Sequence, residues 1–362
     1  LWERYERMLS AGSLVVGFIF DLFLAKRPDS TLDNILLVSY LFIAAALIII
    51  LNIHTNRRRD IEPRPVPLLL LLVLQFCFGG LSSNLLVLYG KSGTLAGSAL
   101  FILLLAAMLI GNEFLRTRYA QLRFNIAVYY LLLLTYLIIA VPTFIFHSVG
   151  MLVFLFSGFL SLLLIGGFLS IVYVAVFRGR QRGQQLYEVS VLVVMIFTLF
   201  NGLYFLKIIP PVPLSLKGIG MYHSISRLTA PQASPQGIYT AVFEPSQWFV
   251  FWRDTSATYT ITSTSAQAAC FSSVFAPTNL ATPVFHKWEK YDEGAGKWVV
   301  KARVSFPING GRDQGYRGFT LSDVSPGQWR CNVETTSGAL IGRISFTVLQ
   351  NQALPTLSTK TL

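Results

Sequence analysis

The sequence is poor in the residues that do chemistry. Among 362 residues there are four histidines and three cysteines. His54, His147, His223 and His286 share no zinc-ligand spacing with Cys77, Cys270 or Cys331, and neither a nucleophile elbow nor a phosphate-binding glycine loop is present. A Ser/His/Asp group stays open, because its members meet in space rather than in sequence. No metal or cofactor is expected, and no reaction is legible. Charge is scarce as well: charged residues make up 13% of the chain against 53% hydrophobic ones, a balance too apolar for a soluble protein. The net charge is +12. A basic excess can mark a nucleic-acid binder, but no basic run is interleaved with exposed aromatics for base stacking. Nucleic acid is therefore not an expected partner.

Long apolar runs are what the chain has instead. The chain begins at Leu1 rather than Met, so a short leader upstream is left open. Leu1–Met8 reads as an interfacial segment leading into a first span at Leu9–Ala25, and further runs follow at Asn34–Ile53, Val66–Tyr89, Thr94–Gly111, Asn125–Phe146, Met151–Phe177 and Tyr187–Pro210. Each is close to the roughly 20 residues that cross about 30 Å of hydrocarbon as a helix. About seven spans are expected, in a transmembrane domain over residues 1–210. In Val66–Tyr89, Gly79, Gly80, Ser82, Ser83 and Asn84 predict a kinked or partly re-entrant second half. Gly158, Ser161, Gly166, Gly167 and Ser170 predict close helix packing.

Basic residues orient these spans, since positive loops resist transfer. Arg4, Arg7, Arg57, Arg58, Arg59, Arg64, Arg116, Arg118, Arg123, Arg178, Arg180 and Arg182 fall on one side, against Lys26, Arg27 and Lys91 on the other. The N-terminus is thus expected in the cytoplasm and, with an odd number of spans, the C-terminal portion outside, which in a bacterial inner membrane means the periplasm. That orientation opposes rhodopsin-like proteins. Polar groups inside the spans are few: Asp21, Gln75, Asn84 and Asn201 are the intramembrane candidates. Interhelical hydrogen bonding is their simpler role.

After residue 210 the composition changes. Residues 211–237 read as a proline-rich linker or collar, with Gly220–Leu228 either a first strand or a segment on the membrane surface. Residues 238–350 read as an all-β, immunoglobulin-like antiparallel sandwich, and 351–362 as a flexible tail. Strands are predicted at Ile238–Glu244, Trp248–Arg253, Thr258–Ser263, Ala268–Phe275, Val284–Tyr291, Trp298–Phe306, Gln328–Glu334 and Leu340–Leu349. In one of them Val284, His286 and Trp288 oppose Phe285, Lys287 and Glu289. In another Trp329, Cys331 and Val333 oppose Arg330, Asn332 and Glu334, a strand buried on one side. Asp292–Lys297 and Ser337-Gly338 read as hairpin tips.

Cys77 lies in a span and reads as a small buried residue. Cys270 and Cys331 fall in strands of the outer domain, where an oxidising compartment permits a disulfide; two separate buried thiols are the alternative. The order Cys270, Trp288, Cys331 is that of an immunoglobulin-type core. Candidate binding residues are His286, Trp288, Arg312, Asp313, Tyr316, Arg317 and Trp329. Within Asn309–Gly318 four glycines allow backbone approach to a ligand, two arginines suit carboxylate or phosphate, and Tyr316 suits stacking on a sugar. A glycine-rich strand connection with Arg312 and Asp313 paired locally is the plainer account. His286 beside Trp288 is similarly read first as a packed histidine.

Cys270–Leu280 (CFSSVFAPTNL), Val284–Glu289 (VFHKWE), Phe306–Thr320 (FPINGGRDQGYRGFT), Pro326–Thr335 (PGQWRCNVET) and Gly342–Val348 (GRISFTV) together resemble the bacterial family called domain of unknown function 2914. The resemblance covers the outer domain, and implies a membrane-anchored β domain with no chemistry attached. Members often carry an aliphatic residue where Cys331 stands. The expected role is an interaction or assembly subunit in contact with membrane lipids. Its β domain would dock another membrane or periplasmic protein or a cell-envelope glycan. A transporter or membrane enzyme handling a lipid-linked envelope precursor is the alternative, with Asp21, Gln75, Asn84 and Asn201 converging on a cavity.

Overall fold

A computed structural model describes residue 19 and residues 27–57, 68–114, 121–177, 182–228, 238–247, 249–250, 253–353 and 355–362. Two compact units divide between Pro213 and Leu214. Asp21, the span expected at Leu9–Ala25 apart from residue 19, and the second linker at 230–237 lie outside the described residues.

The first unit is helical: α1 (Thr31–Arg57), α2 (Leu68–Ser92), α3 (Leu95–Phe114), α4 (Leu122–Ala140), a π-helical turn (Val141–Phe146), α5 (Met151–Ala175) and α6 (Arg182–Phe205). Five helices among the described residues are long and apolar enough to cross a membrane, rather than the seven expected; the run at Gly97–Gly111 is shorter. A helix of 24 residues spans about 36 Å at 1.5 Å per residue. The segment Leu122–Phe146 is 78% buried against 22–50% for the other four, so it forms the centre of this unit.

Helix α2 runs unbroken through Gly79 and Gly80, in place of the partly re-entrant second half expected. Phe78, Leu81, Leu85 and Tyr89 are buried along it, and Gly80 admits the Tyr40 ring from α1, which a Cβ would meet at 2.7 Å. Gly80 thus serves packing within an unbroken helix. At Gly158 a Cβ would meet Phe197 at 3.0 Å, as close packing predicts. Gly166 and Gly167 differ: a Cβ at either would meet nothing within 4 Å, and Ser170 is exposed.

The second unit holds β1 (Ser215–Tyr222), β2 (Ser224–Leu228), β3 (Ile238–Phe243), β4 (Thr258–Ile261), β5 (Ala266–Phe275), β6 (Ala281–Asp292), β7 (Lys297–Asn309), β8 (Tyr316–Val324), β9 (Gly327–Thr335), β10 (Leu340–Gln350) and β11 (Ser358–Thr361). Three sheets form, ordered β1-β5-β8, β4-β10-β9-β6-β7 and β11-β3-β2. The expectation of a wholly antiparallel array is corrected at one edge, where β4 pairs parallel with β10. A parallel pair needs a long crossover, and the chain between the two strands supplies it.

Strand β5 is buried along nearly its whole length, because its two faces enter different cores. Ala268 and Cys270 pack with Trp288, Trp329, Cys331 and Phe346 of the five-stranded sheet. Ala269 and Phe271 pack with Tyr222, Ala241 and Phe243. The region expected as linker thus contributes β1 and β2, and the expected tail contributes β11, paired with β3. No strand is assigned at the predicted Trp248–Arg253, of which 248, 251 and 252 lie outside the described residues.

Strand β8 was absent from the sequence expectation, and its composition explains why. Gly318 sits where the Phe306 ring would lie 2.7 Å from a Cβ, and Thr320 turns a hydroxyl into the core. Both interrupt apolar alternation while serving the packing. At β9 the predicted inner face holds, with Trp329, Cys331 and Val333 buried, but Asn332 and Glu334 on the other face are buried too.

Candidate functional site

Of the candidate residues, His286, Trp288 and Trp329 are core. His286 and Trp288 are fully buried and Trp329 nearly so. The His286 ring bonds Ser272 Oγ at 2.7 Å through Nε2 and Thr320 Oγ1 at 3.0 Å through Nδ1, and the Trp288 indole donates to Thr320 Oγ1 at 3.1 Å. Burial pushes the His286 pKa down to about 4, so the ring is neutral at pH 7. This serine–histidine–threonine line has the outline of a nucleophile and base, but Ser272 and His286 are wholly enclosed and the third group is a hydroxyl, which cannot stabilise an imidazolium as a carboxylate does. It satisfies buried polar groups.

Cys270 and Cys331 are disulfide-bonded, with Cα atoms 6.7 Å apart. Cys270, His286 and Cys331 bring three potential metal-donor atoms within 4.8 Å of one another. The bond between the sulfurs uses up the thiolates that a metal needs.

The glycine-rich loop is divided in its roles. Gly310 and Gly311 donate their amides to Leu280 O at 2.8 Å and Ala276 O at 3.1 Å, so these N–H groups are spent on the fold and do not await a ligand. A Cβ at Gly310 would fall 1.6 Å from Pro277 O, and Gly315, at φ +79°, would place one 2.7 Å from Ser273 Oγ. The glycines let the loop lie on β5. Arg312 stacks on Tyr316, its guanidinium carbon 4.9 Å from the ring centroid; Asp313 is exposed. Gln314 and Arg317 reach a cleft.

That cleft has a volume of about 660 Å³. Strand β1 supplies Lys217 at a bulge between Leu216 and Gly218, and a bulge re-aims a side chain out of the regular alternation. A Cβ at Gly342 of β10 would meet Leu216 of β1 at 2.4 Å, so a glycine lets these strands approach beside the cleft. Arg343 and Ser345 come from β10, Arg253 and Asp254 from the segment before β4, and Lys360 from β11. Five basic side chains and one acidic side chain line the space, with Leu362 beside them.

The carboxylate is engaged: Asp254 Oδ2 lies 2.7 Å from Lys360 Nζ. Burial works against the Lys360 charge, and Asp254 and Tyr222 together more than offset it, leaving the lysine pKa raised. Arg253 donates to the carbonyls of Thr255 at 2.7 Å, Ser256 at 2.7 Å and Ser345 at 3.4 Å. Burial lowers its pKa, yet a guanidinium stays charged at neutral pH. Arg317 donates to Leu362 O at 3.0 Å. Among the described residues no ion pair involves Lys217, Arg253 or Arg317.

Beyond the cleft, the outer face of the five-stranded sheet gathers a second charged group. Glu289 accepts from Arg330 at 2.5 Å and Asn332 at 2.7 Å, and lies 2.9 Å from Lys287 Nζ. Burial raises its carboxyl pKa, and the contacts to Arg330 and Lys287 more than reverse this, so the net shift is downward. Arg330 also stacks over Trp298, its guanidinium carbon 4.2 Å from the ring centroid.

In the helices, Asn84 donates to Gly80 O at 3.0 Å and Asn201 to Phe197 O at 2.8 Å. Each closes on its own helix and not on the other; Gln75 is half-buried. Sequence reasoning missed Lys217, Arg253, Arg343 and Lys360. Their one available signal was the concentration of basic residues in segments otherwise read as linker, tail or strand.

Residues 281–348 match the model of the family described as "Protein of unknown function (DUF2914)", a stretch that runs from β6 into β10. No curated protein matches the chain. Among solved structures, a Listeria innocua β-glucosidase in complex with isofagomine is 9% identical, with a TM-score of 0.19. The similarity covers 31% of this chain and 16% of that one. The Pseudomonas fluorescens alkylpurine DNA glycosylase AlkC, bound to DNA containing an abasic site analog, is 10% identical, with a TM-score of 0.22. The match covers 88% of this chain and 99% of that one. At such TM-scores neither carries a fold or an activity across.

Proposed function

We propose that this is a membrane-held binding protein, whose helices keep a β unit at the membrane and whose β unit docks a cell-envelope glycan in the cleft of Lys217, Arg253 and Arg317. The cleft is the observation that carries the reading. It combines volume enough for a saccharide of a few units with donors held in place by the fold, the arrangement expected of a preformed ligand site. The Lys/Arg bias of the short loops supports an N-terminus in the cytoplasm and a β unit in the periplasm of a bacterial inner membrane. An immunoglobulin-like pairing of the β1-β5-β8 sheet with the five-stranded sheet around Trp288 and the disulfide belongs to the same proposal.

A protein partner is the second reading, favoured by the outer face of the five-stranded sheet, where Arg330 and Trp298 supply the residue types enriched in binding hot spots. One variant separates the two. Ser345 is exposed at the cleft, so Ser345→Trp narrows the cleft without altering charge. Titration of the purified full chain with a panel of envelope glycan fragments is expected to show binding that this substitution weakens at least tenfold. Unchanged glycan binding in Ser345→Trp rejects the cleft as the site.

A further inference from the structure

We infer, building on the docking reading above, that the ligand of the cleft is polyanionic: a saccharide or headgroup carrying two or more phosphate or carboxylate groups. The side chains of the lining carry five positive charges against one negative, Asp254, and Asp254 is paired with Lys360. Arg253 and Arg317 are half-buried and Lys217 is exposed beside them; a half-buried cation without a counter-charge is a standing electrostatic cost unless something supplies one. The carbonyls around Arg253 orient it without neutralising it, and they use three of the five N–H donors of a guanidinium. Two donors remain, enough for one forked contact to an oxyanion. Arg317 has a single hydrogen bond, to Leu362 O. Lys217, lifted at its bulge, contacts Phe275 with its ammonium 5.4 Å from the ring centroid.

These groups come from three different parts of the chain, within β1, ahead of β4, and at the start of β8. One small anion cannot neutralise all of them, whereas a chain of anionic sugars or a diphosphate presents its charges in series. Ser273, Gln314 and Ser345 add neutral polar groups of the kind that bind hydroxyls.

The test is titration of the full chain, held in zwitterionic lipid discs, with trigalacturonate, pyrophosphate, orthophosphate and maltotriose. Trigalacturonate and pyrophosphate are expected to bind at least tenfold more tightly than maltotriose or orthophosphate, with affinity falling as salt rises. Lys217→Gln combined with Arg317→Gln should lose at least tenfold. Ser345→Glu, which leaves every arginine contact to the fold in place, should weaken binding likewise. Discs containing an anionic phospholipid then divide the sources: inhibition of the titration identifies a headgroup, and an unchanged titration identifies a soluble saccharide. Maltotriose binding as tightly as trigalacturonate, with both variants unaffected, overturns the polyanion inference and leaves the docking reading standing. If no glycan binds at all, both fall.

Discussion

Polar side chains in the helical unit mostly close on the backbone of their own helix, whereas those in the β unit reach across strands to distant parts of the chain. Ser39, Asn52, Asn84, Thr135, Ser157 and Asn201 each bond the carbonyl four residues earlier. Among the described residues, bonds between helices come from tyrosine hydroxyls, as from Tyr89 to Thr135 O and between Tyr130 and Ser161, and from the ion pair of Arg123 in α4 with Glu188 in α6. In the β unit, Ser272 meets His286, Trp288 meets Thr320 and Glu289 meets Arg330. A group that satisfies its own helix needs no partner and builds no site. A group that joins strands fixes their relative position, and a cleft with defined donors follows from that.

The largest expected effect on this comparison comes from the disulfide. Closing a loop across a sequence separation of 61 residues is worth about 4 kcal/mol by chain entropy. Cys331→Ala is expected to lower the unfolding temperature of the β unit in calorimetry while helical circular dichroism persists. Loss of both together shows that the units do not differ in this way.

Acid should separate them next. His286 takes up a proton near pH 6.5 when unfolded but only at about pH 4 when folded. The unfolded state therefore binds more protons within that window, and stability falls as pH drops from about 6.5 to 4, by about 3 kcal/mol from this ring. Denaturant titrations at pH 7 and pH 4 measure it, and His286→Gln should flatten the difference.

Smaller effects follow on the outer sheet face and in the helices. Glu289→Gln weakens the contacts to Arg330 and Lys287 and is expected to cost about 1–2 kcal/mol. Asn201→Leu removes only a bond to its own helix and should change stability by less than about 0.5 kcal/mol. A large loss at Asn201 in a thermal shift assay would restore the case for a polar cavity among the helices.

How much of this was legible varied with the local rule in force. Apolar length announced the helices, although Gly80 misled because a glycine that admits the Tyr40 ring looks like a helix breaker. Period-two alternation found β6 and β9 with their inner faces. It failed at β8, where Gly318 and Thr320 answer to Phe306 and His286 rather than to alternation. The cleft was hardest to foresee. Of its cations only Arg317 was singled out, because Lys217, Arg253, Arg343 and Lys360 are assembled from four separate segments by sheet topology, which residue order does not display.

The most direct test of the account is photo-crosslinking of the full chain in its native membrane with a diazirine-bearing trigalacturonate, followed by peptide mapping. Adducts are expected on β1 near Lys217, on residues 312–317, on β10 near Ser345 and on residues 358–362, and should be competed by pyrophosphate. Adducts confined to the helical unit, or to the Trp298 face of the five-stranded sheet, contradict the cleft as the working site of this protein.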